Sequence, residues 1–416
     1  MQMKKRLKIF FILTFIAFAS IVVCPMHIEA ANQTITFSDK NMYDAIKAQL
    51  NGKYVSADDD NQSITITDEE IENTKSLYLS KKNITDLSGI EYFTKIETLD
   101  IQDNKITSIE KVPGEFIRSL SVSNIENITD INLIENYNSL YCIEVDGSNL
   151  EEIPESIKKI ASHLSYIEWT NGVLKTTSWV KDFPKLISLR LENNQISSLE
   201  NLSTASGLTS LDLSGNQIEN IDEIGSLIEL YSLDIDDNNV SNLNGISGLC
   251  LVTLNAANNK ITDISALNLG KLSGLDVSNN CITDFDTVKD VAVDKNYKIS
   301  GQLIKINVNS GDKANVPAMV EQAKNFFGAN DIQSLNCTIS DGKCEIDESV
   351  TYARIKINDG IMKDSMVYYN VTNVQVPGVT GKTINFTKTQ IVVICEVIFI
   401  MIISVFIIAN IKRKKN

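Results

Sequence analysis

From Leu77 to Phe285 apolar residues recur at a fixed spacing, one at the start of a copy and others two, seven and ten positions on, as in Leu211, Leu213, Ile218 and Ile221. Aligning the first of each set gives Leu77, Leu99, Leu120, Ile143, Ile167, Leu189, Leu211, Leu233, Leu254 and Leu275, in steps of 21 to 24 residues. The apolar-x-apolar start predicts a short strand with two side chains turned inward and one turned outward between them. The rest of each copy has to return to the start of the next. One copy cannot bury its own apolar face, so copies must stack and share a continuous core. Asn104, Asn194, Asn216, Asn238, Asn259 and Asn280 each fall three residues after the second apolar position. There the chain leaves its strand, and an amide can satisfy backbone groups that no ladder reaches. Lys82, Ile125, Ser148 and Gly172 break this rule. The coils from Val112 to Val180, which also have the longest steps, are therefore expected to be the least regular.

A repeat of this period is the signature of a leucine-rich repeat, an α/β solenoid built on a parallel sheet. Its flanks read differently. Between Thr34 and Thr74 a short helical pattern, with Ser38 as expected N-cap and Met42, Ile46 and Leu50 on one face, should cover the open edge of the first coil. Asp59, Asn61, Ser63, Ile66 and Glu70 fall in a calcium-loop register, but Ile64 stands where the sharp turn needs glycine, so a metal-free turn is expected. Between Tyr297 and Asn373 the period changes to two, in Ile304/Ile306/Val308, Ala353/Ile355/Ile357 and Val367/Tyr369/Val371. That alternation predicts a half-buried antiparallel sheet, with turns at Asp341–Gly342 and Asp359–Gly360, folded into a small sandwich packed on the last coil. Val316 to Phe327 reads as a short helix or an irregular connection.

Lys4, Lys5, Arg6 and Lys8 precede the apolar run Ile9–Val23 and a cleavage site after Ala30, the layout of a secretory signal peptide. At the other end Ile391–Ile411 gives 21 residues whose only charge is Glu396, followed by Lys412, Arg413, Lys414 and Lys415. This predicts one transmembrane helix with its C-terminus in the cytoplasm and everything from Ala31 to the linker outside. The expected division is signal peptide 1–30, N-terminal cap 31–73, repeats 74–290, β domain 291–373, linker 374–390, transmembrane helix 391–411 and basic tail 412–416.

The formal net charge of −15 understates the acidity of the middle, because the first 30 residues carry +3 and the last five +4, which leaves −22 between them. A surface so acidic argues against nucleic acid as a partner. Of two histidines only His163 lies beyond the signal peptide, and no catalytic triad, cysteine/histidine ligand spacing or phosphate-cradling glycine loop is present. No catalysis, cofactor or metal is expected. Cys337 and Cys344 flank the turn at Ser340 to Gly342, where they are either bridged or two separate thiols.

The runs Asn83-Ile84-Thr85-Asp86-Leu87 and Asn104-Lys105-Ile106-Thr107-Ser108-Ile109 resemble the first two coils of the internalin-like leucine-rich-repeat surface proteins of Gram-positive bacteria, and the likeness extends over roughly residues 34–373. It implies a curved solenoid with its strands on the concave face, short 3₁₀-like turns on the convex face and an Ig-like domain behind. It also implies binding of a protein or carbohydrate at a cell surface. Val376-Pro377-Gly378-Val379-Thr380-Gly381 is similar to the sorting signal of such proteins, so attachment to the cell wall through Thr380 stands as an alternative to the membrane helix.

The outward column of the strands reads Tyr78, Asp100, Ser121, Glu144, Glu168, Arg190, Asp212, Asp234, Asn255 and Asp276, and the next adds Asp146, Glu192 and Asp236. Like charges directly opposite are mildly destabilising, so a basic partner or a divalent cation would relieve them. The expected binding face centres on Tyr166, Glu168, Arg190, Glu192, Asp212, Asp234 and Asp236. The leading expectation is a membrane-anchored surface adhesin or receptor; the alternatives are a structural envelope spacer and a recruiting subunit of a membrane complex.

Overall fold

The computed structural model describes residues 31–372 apart from 293, 294, 296, 310–312, 348 and 349. The signal peptide, linker, transmembrane helix and basic tail expected from the sequence lie outside these residues. Among the described residues no helix is long and apolar enough to cross a membrane. The chain forms two compact units that divide after Gly172.

The first unit begins with β1 (Asn32–Thr36), α1 (Lys40–Leu50), β2 (Ser56–Asp58), β3 (Ser63–Thr67) and α2 (Asp68–Asn73). The cap is thus a mixed layer and not the purely helical one expected, because Ile35, Ile64 and Ile66 alternate with threonines and serines and are buried at strand period. The three strands pair antiparallel in the order β1-β3-β2. The N-cap of α1 is Asp39, one residue after the expected Ser38. Its carboxylate accepts from the backbone N–H groups of Asn41 and Met42 at 2.7 and 3.2 Å. Its other oxygen accepts from the N–H and hydroxyl of Thr85 at 2.7 and 2.8 Å, which ties the cap to the first coil. The Gln49 amide donates to the Ser76 carbonyl and accepts from the Tyr78 N–H at 2.8 Å, standing in for a neighbouring strand on the open edge of the first coil. Asp59, first residue of the calcium-like register, instead takes the Tyr43 hydroxyl and the Lys47 ammonium.

Ten coil strands follow, five in each unit, and within each unit every strand is parallel to its neighbours. In the first unit they are β4 (Ser76–Tyr78), β5 (Thr98–Asp100), β6 (Ser119–Ser123), β7 (Cys142–Asp146) and β8 (Tyr166–Thr170). In the second they are β9 (Ser188–Arg190), β10 (Ser210–Asp212), β11 (Ser232–Asp234), β12 (Thr253–Asn255) and β13 (Gly274–Asp276). Most coils return through short 3₁₀ turns such as Ile90–Tyr92 and Asp222–Ser226. One irregular coil returns through a single helical turn, α3 (Glu155–Lys159).

The asparagines form a ladder. Asn238 is representative: its Oδ1 accepts from the Ile218 N–H at 2.9 Å and its Nδ2 donates to the carbonyls of Leu213, Ile235 and Asp236 at 2.9, 3.2 and 3.0 Å. The residue before each ladder position has positive φ: Asp103, Asn193, Gly215, Asp237, Asn258 and Asn279. Only glycine, asparagine and aspartate adopt that backbone readily. The ladder's last rung is Gln302, preceded by Gly301 with φ of 69°. The Gln302 amide accepts from Ile282 N–H at 3.0 Å and donates to Val277 O at 2.9 Å, beyond the repeat boundary expected at Asp290. Three of the four coils without the asparagine are less regular, as expected: β6, β7 and β8 run on to five residues, and β7 pairs with both neighbours along that whole length. Their chain still turns through positive φ at Asn124, Gly147 and Asn171, whereas β4, with Lys82 at the ladder position, keeps three residues.

The second unit ends in a β domain of β14 (Leu303–Asn309), β15 (Lys313–Asn315), α4 (Ala318–Asn325), β16 (Ile332–Leu335), β17 (Cys337–Ser340), β18 (Lys343–Ile346), β19 (Tyr352–Ile357) and β20 (Met366–Thr372). Two sheets form, in the orders β14-β20-β19-β16 and β15-β18-β17. The expected antiparallel sheet is mixed, since β14 and β20 pair in parallel. A period of two is common to both arrangements, so alternation could not tell them apart. The β domain meets the last coil through α4: Gln322 Oε1 accepts from Phe285 N–H at 2.8 Å, and the Phe285 and Phe327 rings meet edge to face at 6.1 Å. Cys337 and Cys344 are free thiols, both buried on one face of the β17–β18 hairpin. The register pairs Cys337 with Ile346 and Cys344 with Ile339, which makes the two cysteines diagonal and not opposite.

Candidate functional site

The strand face of the second unit is set by register. Leu189, Leu211, Leu233, Leu254 and Leu275 pair in line and are buried, which carries Arg190, Asp212, Asp234, Asn255 and Asp276 outward in one column. Neighbouring rungs are about 4.8 Å apart. Arg190 bridges Glu192 at 3.3 Å and Asp212 at 3.6 Å. Asp234 Oδ2 accepts from Asn255 Nδ2 at 3.0 Å, and Asp276 Oδ2 meets Lys298 Nζ at 3.0 Å. Asp236, one column over, accepts from its neighbour's N–H at 2.9 Å and from Asn258 Nδ2 at 3.0 Å.

These carboxylates have a local structural role that the sequence pattern alone does not reveal. The side-chain oxygens of Asp100, Asp212, Asp234, Asn255 and Asp276 each accept from the backbone N–H two residues on, at 3.0–3.3 Å. That N–H lies where the strand bends away from its neighbour, so an acceptor two residues earlier ends the strand cleanly. The recurrence of Leu-Asp-Leu is thus explained in part by turn chemistry. Five carboxylates still share the face with Arg190 and Lys298, and the strain is visible. Burial pushes the Asp234 carboxyl up from the ordinary value, helped by repulsion from Asp212 and Asp236 and opposed by its hydrogen bonds. Asp236 is pushed up by burial and by the neighbouring Asp237.

Tyr166 and Glu168 belong to the first unit, so the seven expected residues are brought together as two groups. Tyr166 is exposed and packs edge to face on Tyr141 at 5.8 Å. Glu144, in line with Glu168, accepts from the Ser121 hydroxyl at 2.8 Å. Tyr78 is also exposed, so the first unit's strand face carries tyrosines together with the acids Asp100, Glu144 and Glu168.

The expected set omits the apolar neighbours of the acids. Ile187 and Tyr231 stand two residues before their inward leucines and are 40% and 50% exposed. Backbone bonds link them through Thr209, whose N–H donates to Ile187 O and whose carbonyl accepts from Tyr231 N–H. Large apolar side chains at that register position were the available signal, and Tyr141 repeats it in the first unit.

Comparison with known proteins follows the same lines. The leucine-rich-repeat family pattern matches residues 251–290 as two copies and residues 207–227 as one. No curated protein sequence matches the chain. Among solved structures it is similar to InlP of Listeria monocytogenes, with 17% identity over 81% of this chain and 96% of that one and a TM-score of 0.53. An internalin from L. monocytogenes str. 4b F2365, inlF, is 23% identical over 65% of this chain and 89% of its own, with a TM-score of 0.44. The likeness to InlP establishes a common fold.

Proposed function

We propose that this chain, a leucine-rich-repeat protein of internalin-like fold, is a non-catalytic surface module that binds a protein partner carrying a basic segment. The observation that carries this reading is the in-register column of Asp212, Asp234 and Asp276, in a sheet whose Ile187 and Tyr231, two residues before their inward leucines, are exposed. A partner with basic side chains next to apolar ones matches both rows. The charges give specificity and encounter rate, and the apolar contacts give affinity. The tyrosines of the first unit, Tyr141 and Tyr166 with Glu168 beside them, form a second contact surface in this reading. Export by residues 1–30 and retention by a membrane helix at 391–411, or by the cell wall through Thr380, hold the module at the cell surface. Placing a photo-crosslinking side chain at Tyr231 in the full chain tests the reading. An adduct with an extracellular protein from position 231, absent from a probe at exposed Glu219, supports it; adducts only from position 219 overturn it.

A further inference from the structure

The first unit holds a cleft of about 550 Å³ lined from residues 109–116 and 133–139, within the size range of small-molecule sites. Its apolar lining includes Val112, Phe116, Leu133 and Tyr137, and its polar lining includes Glu110 and Glu115. Gly114 fixes the wall: a Cβ there would sit 2.2 Å from the Tyr137 ring, so only glycine lets that ring close against the chain. The Tyr137 side chain is 4% exposed, and its hydroxyl has no hydrogen-bond partner among the described residues. Glu110 and Glu115 are exposed and make no ion pair among the described residues. No lysine, arginine or histidine lines the cleft. Beside it the Lys95 ammonium lies 3.9 Å from the Phe116 ring centroid and engages one face of that ring.

We propose that this cleft binds an alkylammonium cation, its hydrocarbon part against Val112, Phe116 and Leu133 and its N–H donors on the Glu110 and Glu115 carboxylates. A primary ammonium brings donors and no acceptor. The lining offers two exposed carboxylates and no lysine, arginine or histidine, which disfavours phosphates and carboxylates as ligands. The site lies on return segments and is separate from the strand face, so it stands or falls independently of the reading above.

Titration of the full chain with n-hexylammonium, and with n-hexanol as the neutral control, tests the site. The expected result is saturable binding of the amine, at least tenfold weaker binding of the alcohol, and at least a tenfold loss of amine affinity in Glu110→Gln/Glu115→Gln with the melting temperature unchanged. Tyr137→Phe should raise the melting temperature, because a buried unsatisfied hydroxyl is removed, and leave the amine affinity unchanged, because that hydroxyl is closed off from the cleft. N-acetyl-lysine methylamide as a further ligand separates two sources of the same chemistry: tighter binding than hexylammonium assigns a lysine side chain of a partner, weaker binding a free amine. Equal affinity for amine and alcohol, no saturable binding, or an unchanged double variant overturns the proposal.

Discussion

Replacing Asn238 by alanine removes one rung of the ladder and nothing on the surface. The three carbonyls that its Nδ2 served keep other donors: Leu213 O has Asn216 Nδ2 at 2.9 Å, Ile235 O has Asn259 Nδ2 at 2.8 Å, and Asp236 O has Gly215 N–H at 2.9 Å. The Ile218 N–H has only Asn238 Oδ1 and becomes a buried orphan. One orphaned buried donor costs about 1–3 kcal/mol, and the lost bonds and packing raise the expected destabilisation to about 2–4 kcal/mol. Repeat arrays need not unfold in one step, so the local readout is hydrogen exchange. The Ile218 amide should exchange roughly 30- to 1000-fold faster, since each 1.4 kcal/mol is about tenfold. Urea unfolding should agree in sign, while Glu229→Ala, at an exposed position of the preceding coil that also holds Ile218, stays within about 0.5 kcal/mol of the parent. Unchanged protection at Ile218 in Asn238→Ala would refute the ladder's energetic role.

Other consequences follow from particular groups. Asp39→Ala should cost about 2–4 kcal/mol, combining a lost N-cap with lost charge-assisted bonds to Thr85. Burial raises the Asp39 carboxyl, but the bonds from Thr85, Met42 and Asn41 outweigh that and hold it below its ordinary value. Its contribution is therefore present above the unfolded carboxyl pKa and is lost as pH falls through the folded one; Asp39→Asn should flatten that acidic limb in melts run against pH. Asp234 is shifted the opposite way, so Asp234→Asn should slightly raise stability at pH 7, by up to about 1 kcal/mol, while weakening the partner. Calorimetry at acidic pH, where the raised carboxyls are part-protonated, in buffers of different ionisation heat should find protons released when a basic partner binds, because a nearby cation lowers those carboxyls. Among the described cysteines, exposed Cys250 should react with a thiol reagent well before buried Cys337 and Cys344; burial, helped by the neighbouring Cys337, pushes the Cys344 thiol up.

The repeat register was legible because one inward leucine per copy has to align with the next, and all ten expected strands occur where their leucines place them. The ladder asparagines were legible for the same reason. Gln302 was not, since its amide does the work of asparagine one methylene further out and the next residues already alternate as a strand. Doublets such as Asn193-Asn194 and Asp237-Asn238 carried an unread signal, the left-handed residue before each rung. The cap's sheet was hidden behind the stronger helical pattern of Met42, Ile46 and Leu50. At the candidate site the acids were found and their turn-forming role was missed. An outward aspartate and an aspartate bonded to the N–H two residues on look identical in a sequence.

The central claim is that the second unit recognises its partner with the strand face and not with its return segments. Affinity of the full chain for the crosslinked partner, measured in parallel for the parent, for Asp212→Lys/Asp234→Lys and for Glu219→Lys/Glu229→Lys, tests it directly. The account predicts at least a tenfold loss, with a weaker salt dependence, for the first pair and unchanged binding for the second. The opposite order, or equal affinity in all three, would contradict it.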